Sequence, residues 1–286
     1  MRDKNYIVVC AGDSNGVGTA LTDQSEPNIP ASMTEYAGMT QHSVFSGLST
    51  IFRLDKVPAT NRNVNDEFIA VSGRNGNGYA FGLGEITAHQ LALARQAEHG
   101  NNGKEVLYLG CSLSGDAITD TYGESTRYDL ITRAIQLYPD DDVELVFIHV
   151  IGTNTEVDGT AGYTGAQFGE ALKARCDMYD GWFPIKSMHC LVPPYPSGAV
   201  RIDKGQTGMN NLAADTTRPN ITFLAGDNYA DFWTTVETRA NSYAGVSIDH
   251  NNLATIASRG GGSHYNAETV IAMGEVGAEK INVYHS

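Results

Sequence analysis

The sequence predicts an α/β protein, a three-layer α/β/α sandwich around a mostly parallel sheet of five strands. Five short apolar runs, rich in Val, Ile, Leu or Phe, do not alternate with polar residues. This pattern is typical of strands that are buried on both faces. Stretches with apolar residues at helical spacing lie between the runs, and alternating strands and helices favour a doubly wound parallel sheet. In such sheets, functional side chains gather beyond the carboxyl ends of the strands.

The elements follow one another regularly along the chain. The predicted strands are Tyr6–Ala11, Glu105–Cys111, Val143–Ile151, Ile185–Val192 and Ile221–Ala225. Each of the first three predicted helices precedes a strand and the last one closes the chain; they are Ile86–Glu98, Arg127–Leu137, Gly165–Met178 and Asn266–Ile281. Apolar and small residues at helical spacing give the closing helix one face that can be buried.

Two long stretches, residues 22–74 and 193–220, are rich in Gly, Pro, Asn, Ser and Thr and match neither pattern. Loops of this length inside a compact domain are usually functional or carry small local structure. No linker-like change in composition, internal repeat or low-complexity tract divides the chain. We therefore interpret residues 1–286 as a single domain with two long loop insertions.

Composition limits the classes of partner. The chain of 286 residues has a formal net charge of −14, which should repel nucleic acid and anionic membranes. No apolar run approaches the roughly 20 residues needed to span a bilayer. No secretory signal is visible, because strand-like sequence starts by Tyr6. We expect a soluble protein, in the cytoplasm or in a virion such as a phage tail, and its oligomeric state is open.

The four cysteines, Cys10, Cys111, Cys176 and Cys190, lie far apart in the sequence. They form no CxxC pair and no Cys/His spacing that would hold a metal. We expect them to be free buried thiols.

The first strand is followed by Gly12-Asp13-Ser14-Asn15-Gly16. A serine in a tight polar turn beyond a strand can expose its hydroxyl and receive backbone N–H groups from a following helix start. Ser14 is therefore a candidate nucleophile, and the alternative is an ordinary helix N-cap. A phosphate-binding loop is disfavoured because the glycine spacing matches neither a dinucleotide fingerprint nor a Walker loop, and no lysine follows.

The second strand ends in Gly110-Cys-Ser-Leu-Ser-Gly115, close to the nucleophile elbow G-x-S-x-G. Ser114 occupies the place of the final glycine, which ranks Ser112 below Ser14 as a nucleophile. Gly115 is a candidate for presenting an unobstructed backbone N–H to an oxyanion, although Ser114 is an alternative donor and an ordinary turn glycine is the plain interpretation.

Two further residues complete a candidate site. Asn154 follows the third strand, where its amide can donate to an oxyanion or simply belong to a turn. His264 lies on a glycine-rich loop directly before the closing helix, a position from which it can reach the strand ends as a general base. The alternative for His264 is a structural or merely exposed histidine.

Together, these segments resemble the motifs of the SGNH hydrolases, also called GDSL esterases. Gly12-Asp13-Ser14 matches the first motif, Gly115 the oxyanion glycine, Gly152-Thr153-Asn154 the third motif, and His264 the last. The resemblance implies a flavodoxin-like fold and a serine hydrolase with Ser14 as nucleophile and His264 as base. It further implies that Gly115 and Asn154 donate to the oxyanion, and that neither metal nor cofactor is needed.

Within that superfamily the sequence most resembles the sialate O-acetylesterase-like and acetylxylan-esterase-like carbohydrate esterases. The segments that carry this resemblance are Gly76-Asn-Gly78-Tyr-Ala-Phe81, Cys111-Ser-Leu-Ser-Gly-Asp-Ala-Ile118 and His264-Tyr-Asn-Ala-Glu268. It implies an acylated carbohydrate as substrate and removal of O-acetyl or other short acyl groups.

The sequence departs from the family pattern at Gly261, where an Asp usually stands three residues before the histidine. That Asp orients the imidazole and stabilises the imidazolium. Either a backbone carbonyl orients His264 in a Ser–His dyad, or another acid reaches it, the candidates being Asp249, Asp227 and Asp231. A third interpretation is an impaired site, which would make the chain a glycan-binding module in a phage or surface assembly. A flavodoxin-like nucleotide-binding protein is supported by fold analogy alone.

Overall fold

The structure is a computed structural model, and it describes much of the predicted sheet and its helices. The described residues are 4–12, 51–53, 83–99, 106–111, 124–136, 138, 143–150, 164–183, 187–191, 207–208, 210–211, 221–223, 229–256 and 265–285.

These residues form a parallel sheet of six strands in the order β2-β3-β1-β4-β5-β6. The strands are β1 (Asn5–Gly12), β2 (Ile51–Arg53), β3 (Val106–Gly110), β4 (Val143–Val150), β5 (Ser187–Leu191) and β6 (Ile221–Phe223). The predicted α/β class with a parallel sheet is thereby confirmed, and each of the five predicted strands has a counterpart.

The predicted strand number was wrong, because β2 adds a sixth strand at the edge beside β3. It comes from the stretch 22–74, which we had interpreted as a loop. Three residues are too few for a hydrophobic period to show, so pairing with β3 rather than local pattern makes this segment a strand. The central strands behave as predicted: all residues of β1 and β3 are buried, and so is β4 beyond its first residue.

The described helices are α1 (Leu83–His99), α2 (Glu124–Ile135), α3 (Gly165–Trp182), α4 (Tyr229–Asn241), α5 (Leu253–Ile256) and α6 (Ala267–His285). The start of α3 at Gly165 agrees with the prediction, and the structure shows that Thr164 and Gln167 form a capping box there. The Thr164 side chain accepts from the Gln167 N–H at 3.2 Å, and the Gln167 side chain accepts from the Thr164 N–H at 2.8 Å.

Two helices were missed by the sequence analysis. Helix α4 carries buried Phe232, Trp233, Val236 and Ala240. That spacing is a helical signal in a segment to which no element was assigned. Helix α5 has only four residues, too few to show a period.

Helices contact both faces of the sheet. Helix α1 meets one face at Gly84, where an added Cβ would lie 2.7 Å from the Cys10 sulfur. Helix α3 meets the other face at Tyr179, whose ring centroid lies 5.8 Å from that of His149. His149 pairs with Ala11, the neighbour of Cys10, and successive strand residues point to opposite faces.

Helix α6 packs chiefly on α1 and α4. Gly274 allows its close approach to α1, because a Cβ there would lie 2.5 Å from the Cβ of Ile86. The Thr87 hydroxyl bonds to the carbonyls of Leu83 and Gly274 at 2.9 and 3.2 Å. None of the helices in the described part of the chain has the length and apolar character to cross a membrane.

Three of the four cysteines are buried thiols outside any disulfide, as predicted: Cys10, Cys111 and Cys176. Cys190 lies in β5.

Candidate active site

The carboxyl ends of β1, β3 and β4 lie side by side at one edge of the sheet. Gly12 pairs with Val150, and Cys10 pairs with Gly110. Ser14, Gly115 and Asn154 each follow one of these strand ends within five residues. All four predicted site residues, the fourth being His264, lie outside the described residues. The structure therefore brings together the strand ends that precede three of them.

Gly12 determines how the chain leaves β1. Its φ is +138°, and a Cβ at this position would lie 1.7 Å from the carbonyl oxygen of Val150. Any residue with a Cβ would be strained at this φ and would clash with the Val150 carbonyl, so the position requires glycine. The glycine of the Gly-Asp-Ser segment is thus required by the backbone two residues before Ser14.

Cys111 follows β3 and is held through both of its backbone polar groups. Its N–H donates to the Cys10 carbonyl at 2.6 Å, and its carbonyl accepts from Arg127 Nε at 2.7 Å. Burial raises the pKa of the Cys111 thiol to about 12, which outweighs the lowering effect of the nearby Arg127. The thiol is therefore protonated at neutral pH and is not a nucleophile.

A buried ionic cluster, which we call the Glu124 cluster, consists of Glu124, Arg127, Arg175 and Tyr179. Glu124 Oε1 accepts from Arg127 Nη1 at 2.6 Å, from Arg175 Nη2 at 2.6 Å and from the Tyr179 hydroxyl at 3.1 Å. The cluster joins α2 to α3 and, through Arg127, to the chain that follows β3.

Sequence analysis did not predict the Glu124 cluster. Arg175 occupies the buried face of α3, which also carries Leu172 and Cys176. An arginine within an apolar helical face is the one local signal, since a buried guanidinium requires a partner. The identity of that partner depends on a contact between residues 51 positions apart.

His149, near the end of β4, packs beside this cluster on Tyr179. Burial lowers the pKa of His149 well below its usual value, and the charges of Arg175 and Arg127 lower it further. Among the described residues neither ring nitrogen has a hydrogen-bond partner. A neutral imidazole in this position is suited to packing rather than to proton transfer at neutral pH.

The chain directly after His264 is well anchored. Tyr265 is buried and packs on Trp233, with ring centroids 5.9 Å apart. Asn266 donates its N–H to the Ile256 carbonyl at 2.9 Å and its amide to the Thr255 carbonyl at 2.6 Å. Its side-chain oxygen accepts from the Thr269 N–H at 2.9 Å and so caps α6.

Two of the three candidate acids for His264 are described. Asp249 is exposed, and its side chain accepts from the Asn251 N–H at 2.9 Å. Its backbone bonds to the Thr255 hydroxyl, and the Thr255 carbonyl bonds to Asn266. Asp249 thus belongs to a segment tied to the chain two residues beyond His264. Asp231 is exposed in the first turn of α4, while Asp227 and Gly261 lie outside the described residues.

One group of metal-ligand types occurs in the described part of the chain: Glu237, Asp249 and His250, with ligand atoms within 4.8 Å of one another. His250 Nδ1 lies 2.6 Å from Glu237 Oε2, and the His250 N–H donates to the same oxygen at 3.1 Å. These bonds account for the arrangement without an ion.

Comparison with known proteins places the fold but not the family. No family model matches the sequence, and no curated protein matches it. Among solved structures, one protein from Arabidopsis thaliana aligns with 98% of this chain and 98% of its own, at a TM-score of 0.58 and 13% identity.

A second solved structure, from Parabacteroides merdae, is that of a protein named as a GDSL-like lipase. It aligns with 98% of this chain and 97% of its own, at a TM-score of 0.50 and 13% identity. At this identity the likeness establishes a shared α/β fold over nearly the whole chain, and the chemistry has to be argued from the residues.

Proposed function

We propose that this protein is a serine esterase of the SGNH type that removes O-acetyl or other short acyl groups from a carbohydrate. The observation that carries the proposal is the Gly-Asp-Ser segment, which leaves β1 through a glycine that the backbone requires. The fold shared with a protein named as a GDSL-like lipase supports it. We take residues 1–286 as one catalytic domain with the three-layer arrangement of that superfamily.

In the proposed reaction, Ser14 Oγ attacks the ester carbonyl while His264 takes its proton. The backbone N–H groups of Ser14 and Gly115 and the amide of Asn154 bind the oxyanion. Each such donor typically stabilises the transition state by about 3 kcal/mol. His264 then protonates the leaving sugar alcohol, and a water molecule, deprotonated by His264, hydrolyses the acyl-enzyme.

The orientation of His264 is the part of the site where this chain differs from the family pattern. Asp249 is the described candidate whose segment is hydrogen-bonded, through Thr255, to Asn266. A dyad in which a backbone carbonyl orients the ring needs no acid. Asp249→Asn tests Asp249 as that acid, because removing an orienting Asp in a triad reduces kcat by about 10⁴. A small loss would leave the dyad, or Asp227 or Asp231 as the acid.

The carbohydrate assignment is the finer part of the proposal and rests on the segments around Gly76–Phe81, Cys111–Ile118 and His264–Glu268. An acylated sugar is neutral at the reacting ester, so the acidic net charge of −14 does not oppose its binding.

The test is hydrolysis of p-nitrophenyl acetate, followed by acetate release from acetylated xylan and from O-acetylated sialic acid. We expect turnover by the wild-type protein and a loss of at least about a thousandfold in Ser14→Ala, as for other serine nucleophiles. Ser112→Ala is the matched control, because Ser112 is the competing serine. Full activity of Ser14→Ala would refute the assignment, and loss only in Ser112→Ala would move the nucleophile to that residue.

A glycan-binding module would behave differently in the same experiment. Binding of acetylated sugar without turnover, and without reaction of Ser14 with a fluorophosphonate probe, would favour that alternative over an esterase.

A further inference from the structure

We propose that Arg127 is a positioning residue for the esterase reaction. Its guanidinium holds the carbonyl of Cys111 and thereby sets where the segment leading to Gly115, the proposed oxyanion donor, begins. This inference rests on the proposed function and adds to it a residue that no motif marks.

The geometry at Arg127 joins two kinds of partner. Nε donates to the Cys111 carbonyl at 2.7 Å, and Nη1 donates to Glu124 Oε1 at 2.6 Å. Because the guanidinium is planar and rigid, fixing one edge on a carboxylate fixes the direction of the other donors. The carboxylate is itself held from α3 by Arg175 at 2.6 Å.

Burial makes this arrangement stiff. The side chains of Arg127, Glu124 and Arg175 are 0%, 7% and 3% exposed, so water does not compete for these bonds. Hydrogen bonds between ionised groups are short and roughly twice as strong as neutral ones. A displaced Arg127 would leave a buried charge without a hydrogen bond, which is costly.

The Cys111 carbonyl, held by Arg127, links the Glu124 cluster to the proposed reaction. The Cys111 N–H bonds to β1, so both backbone groups of this residue are constrained. Gly115 follows only four residues later, and the carboxyl ends of β1 and β4 lie alongside. An error in the direction of the chain at Cys111 would be carried to the oxyanion donor, where about 1 Å of displacement can reduce the rate a hundredfold.

A purely structural role explains the cluster less well. Apolar residues of similar volume often stabilise a helix contact as well as a buried ion pair does, or better. An apolar residue, however, cannot bind a carboxylate and a backbone carbonyl, whereas the guanidinium of Arg127 binds both from donors in fixed directions.

The test uses the full-length protein, with Arg127→Lys and Arg127→Met as variants. Lys keeps the positive charge but has a single ammonium group, which cannot reproduce the fixed N–H directions of the guanidinium. Met removes the charge and keeps most of the aliphatic part of the side chain. Thr87→Val is the control, because it removes one buried hydrogen bond within α1 and one from α1 to α6 without touching the cluster. Active sites are counted by fluorophosphonate labelling carried to its endpoint, and kcat and KM for p-nitrophenyl acetate are expressed per labelled site.

We expect kcat per labelled site to fall by about tenfold to a hundredfold in the folded Arg127 variants, with KM within about twofold. Thr87→Val should have a lower melting temperature but a wild-type kcat per labelled site. Wild-type kcat per labelled site in both Arg127 variants, or an equal loss in Thr87→Val, would overturn the inference while leaving the esterase assignment standing. Absence of turnover in the wild-type protein would overturn the proposed function and this inference together.

Discussion

Two ionic clusters join pairs of helices within the described residues, and they differ chiefly in burial. In the Glu124 cluster, Glu124 binds two arginines at 2.6 Å, and every charged side chain is at most 7% exposed. In the second cluster, Arg239 of α4 binds Glu275 and Glu279 of α6 at 3.2 and 2.5 Å. There, Arg239 is 31% exposed and Glu279 is 58% exposed, while Glu275 is 6% exposed, so the pair between Arg239 and Glu279 is the exposed one.

An ion pair of the same residue types therefore contributes differently to stability when it is buried and when it is exposed to water. Breaking a buried pair leaves a charge without its partner in a poorly solvating interior, at a cost of about 3–5 kcal/mol. An exposed pair is partly replaced by water and screened by salt, so its contribution is about 0–1 kcal/mol. The Glu124 cluster also holds the Cys111 carbonyl directly after β3, whereas the second cluster ties α4 to α6.

The largest effect is expected for Glu124→Ala. Removing this carboxylate takes away one acceptor from two buried guanidinium groups and from the Tyr179 hydroxyl. We expect the free energy of unfolding to fall by about 3 kcal/mol or more, measured by urea denaturation. Glu124→Gln should cost less, since its amide oxygen still accepts. A loss below about 1 kcal/mol in Glu124→Ala would show that burial does not distinguish the two clusters.

A second prediction extends the comparison from ion pairs to single titrating groups. Burial lowers the pKa of His89 from 6.5 to about 4, and burial followed by two arginine charges lowers that of His149 well below 6.5. The unfolded chain therefore binds protons that the folded protein does not. Stability should be unaffected by these groups above pH 6.5 and fall below it, by about 1.4 kcal/mol per pH unit for each histidine.

The measurement is the free energy of unfolding between pH 7 and pH 4.5, compared with that of His89→Gln. The variant lacks one of the titrating groups, so its stability should fall less steeply below pH 6.5. Identical slopes would contradict the shifted pKa of His89.

The smallest effect is expected for Glu279→Gln. Its carboxylate is mostly exposed, so we expect a loss of at most about 1 kcal/mol that shrinks in 1 M NaCl. The loss in Glu124→Ala should persist in the same salt, because the buried cluster is little screened. A Glu279→Gln effect that is large and insensitive to salt would mean that exposure is a poor guide to the strength of these pairs.

Local hydrophobic patterns in the sequence predicted most of the fold. Strands buried on both faces leave continuous apolar runs, so β1, β3 and β4 were predicted closely. Short elements such as β2 were not predicted, because three residues are too few to show a hydrophobic period. The pairing of β2 with β3 is what makes it a strand. Helix α4 was missed despite a usable pattern, and the end of α3 was placed four residues early.

For the candidate site, too, sequence motifs and tertiary contacts supply different parts of the information. Short motifs in the sequence predict the candidates Ser14, Gly115, Asn154 and His264, because a nucleophile, its base and their donors occur in local motifs. The contacts of Glu124, Arg127 and Arg175 near Cys111, and the need for glycine at position 12 against Val150, become visible only in the folded chain. Those contacts join residues that are distant in the chain, and a buried charge or a crowded backbone is defined by what packs around it rather than by its neighbours in sequence.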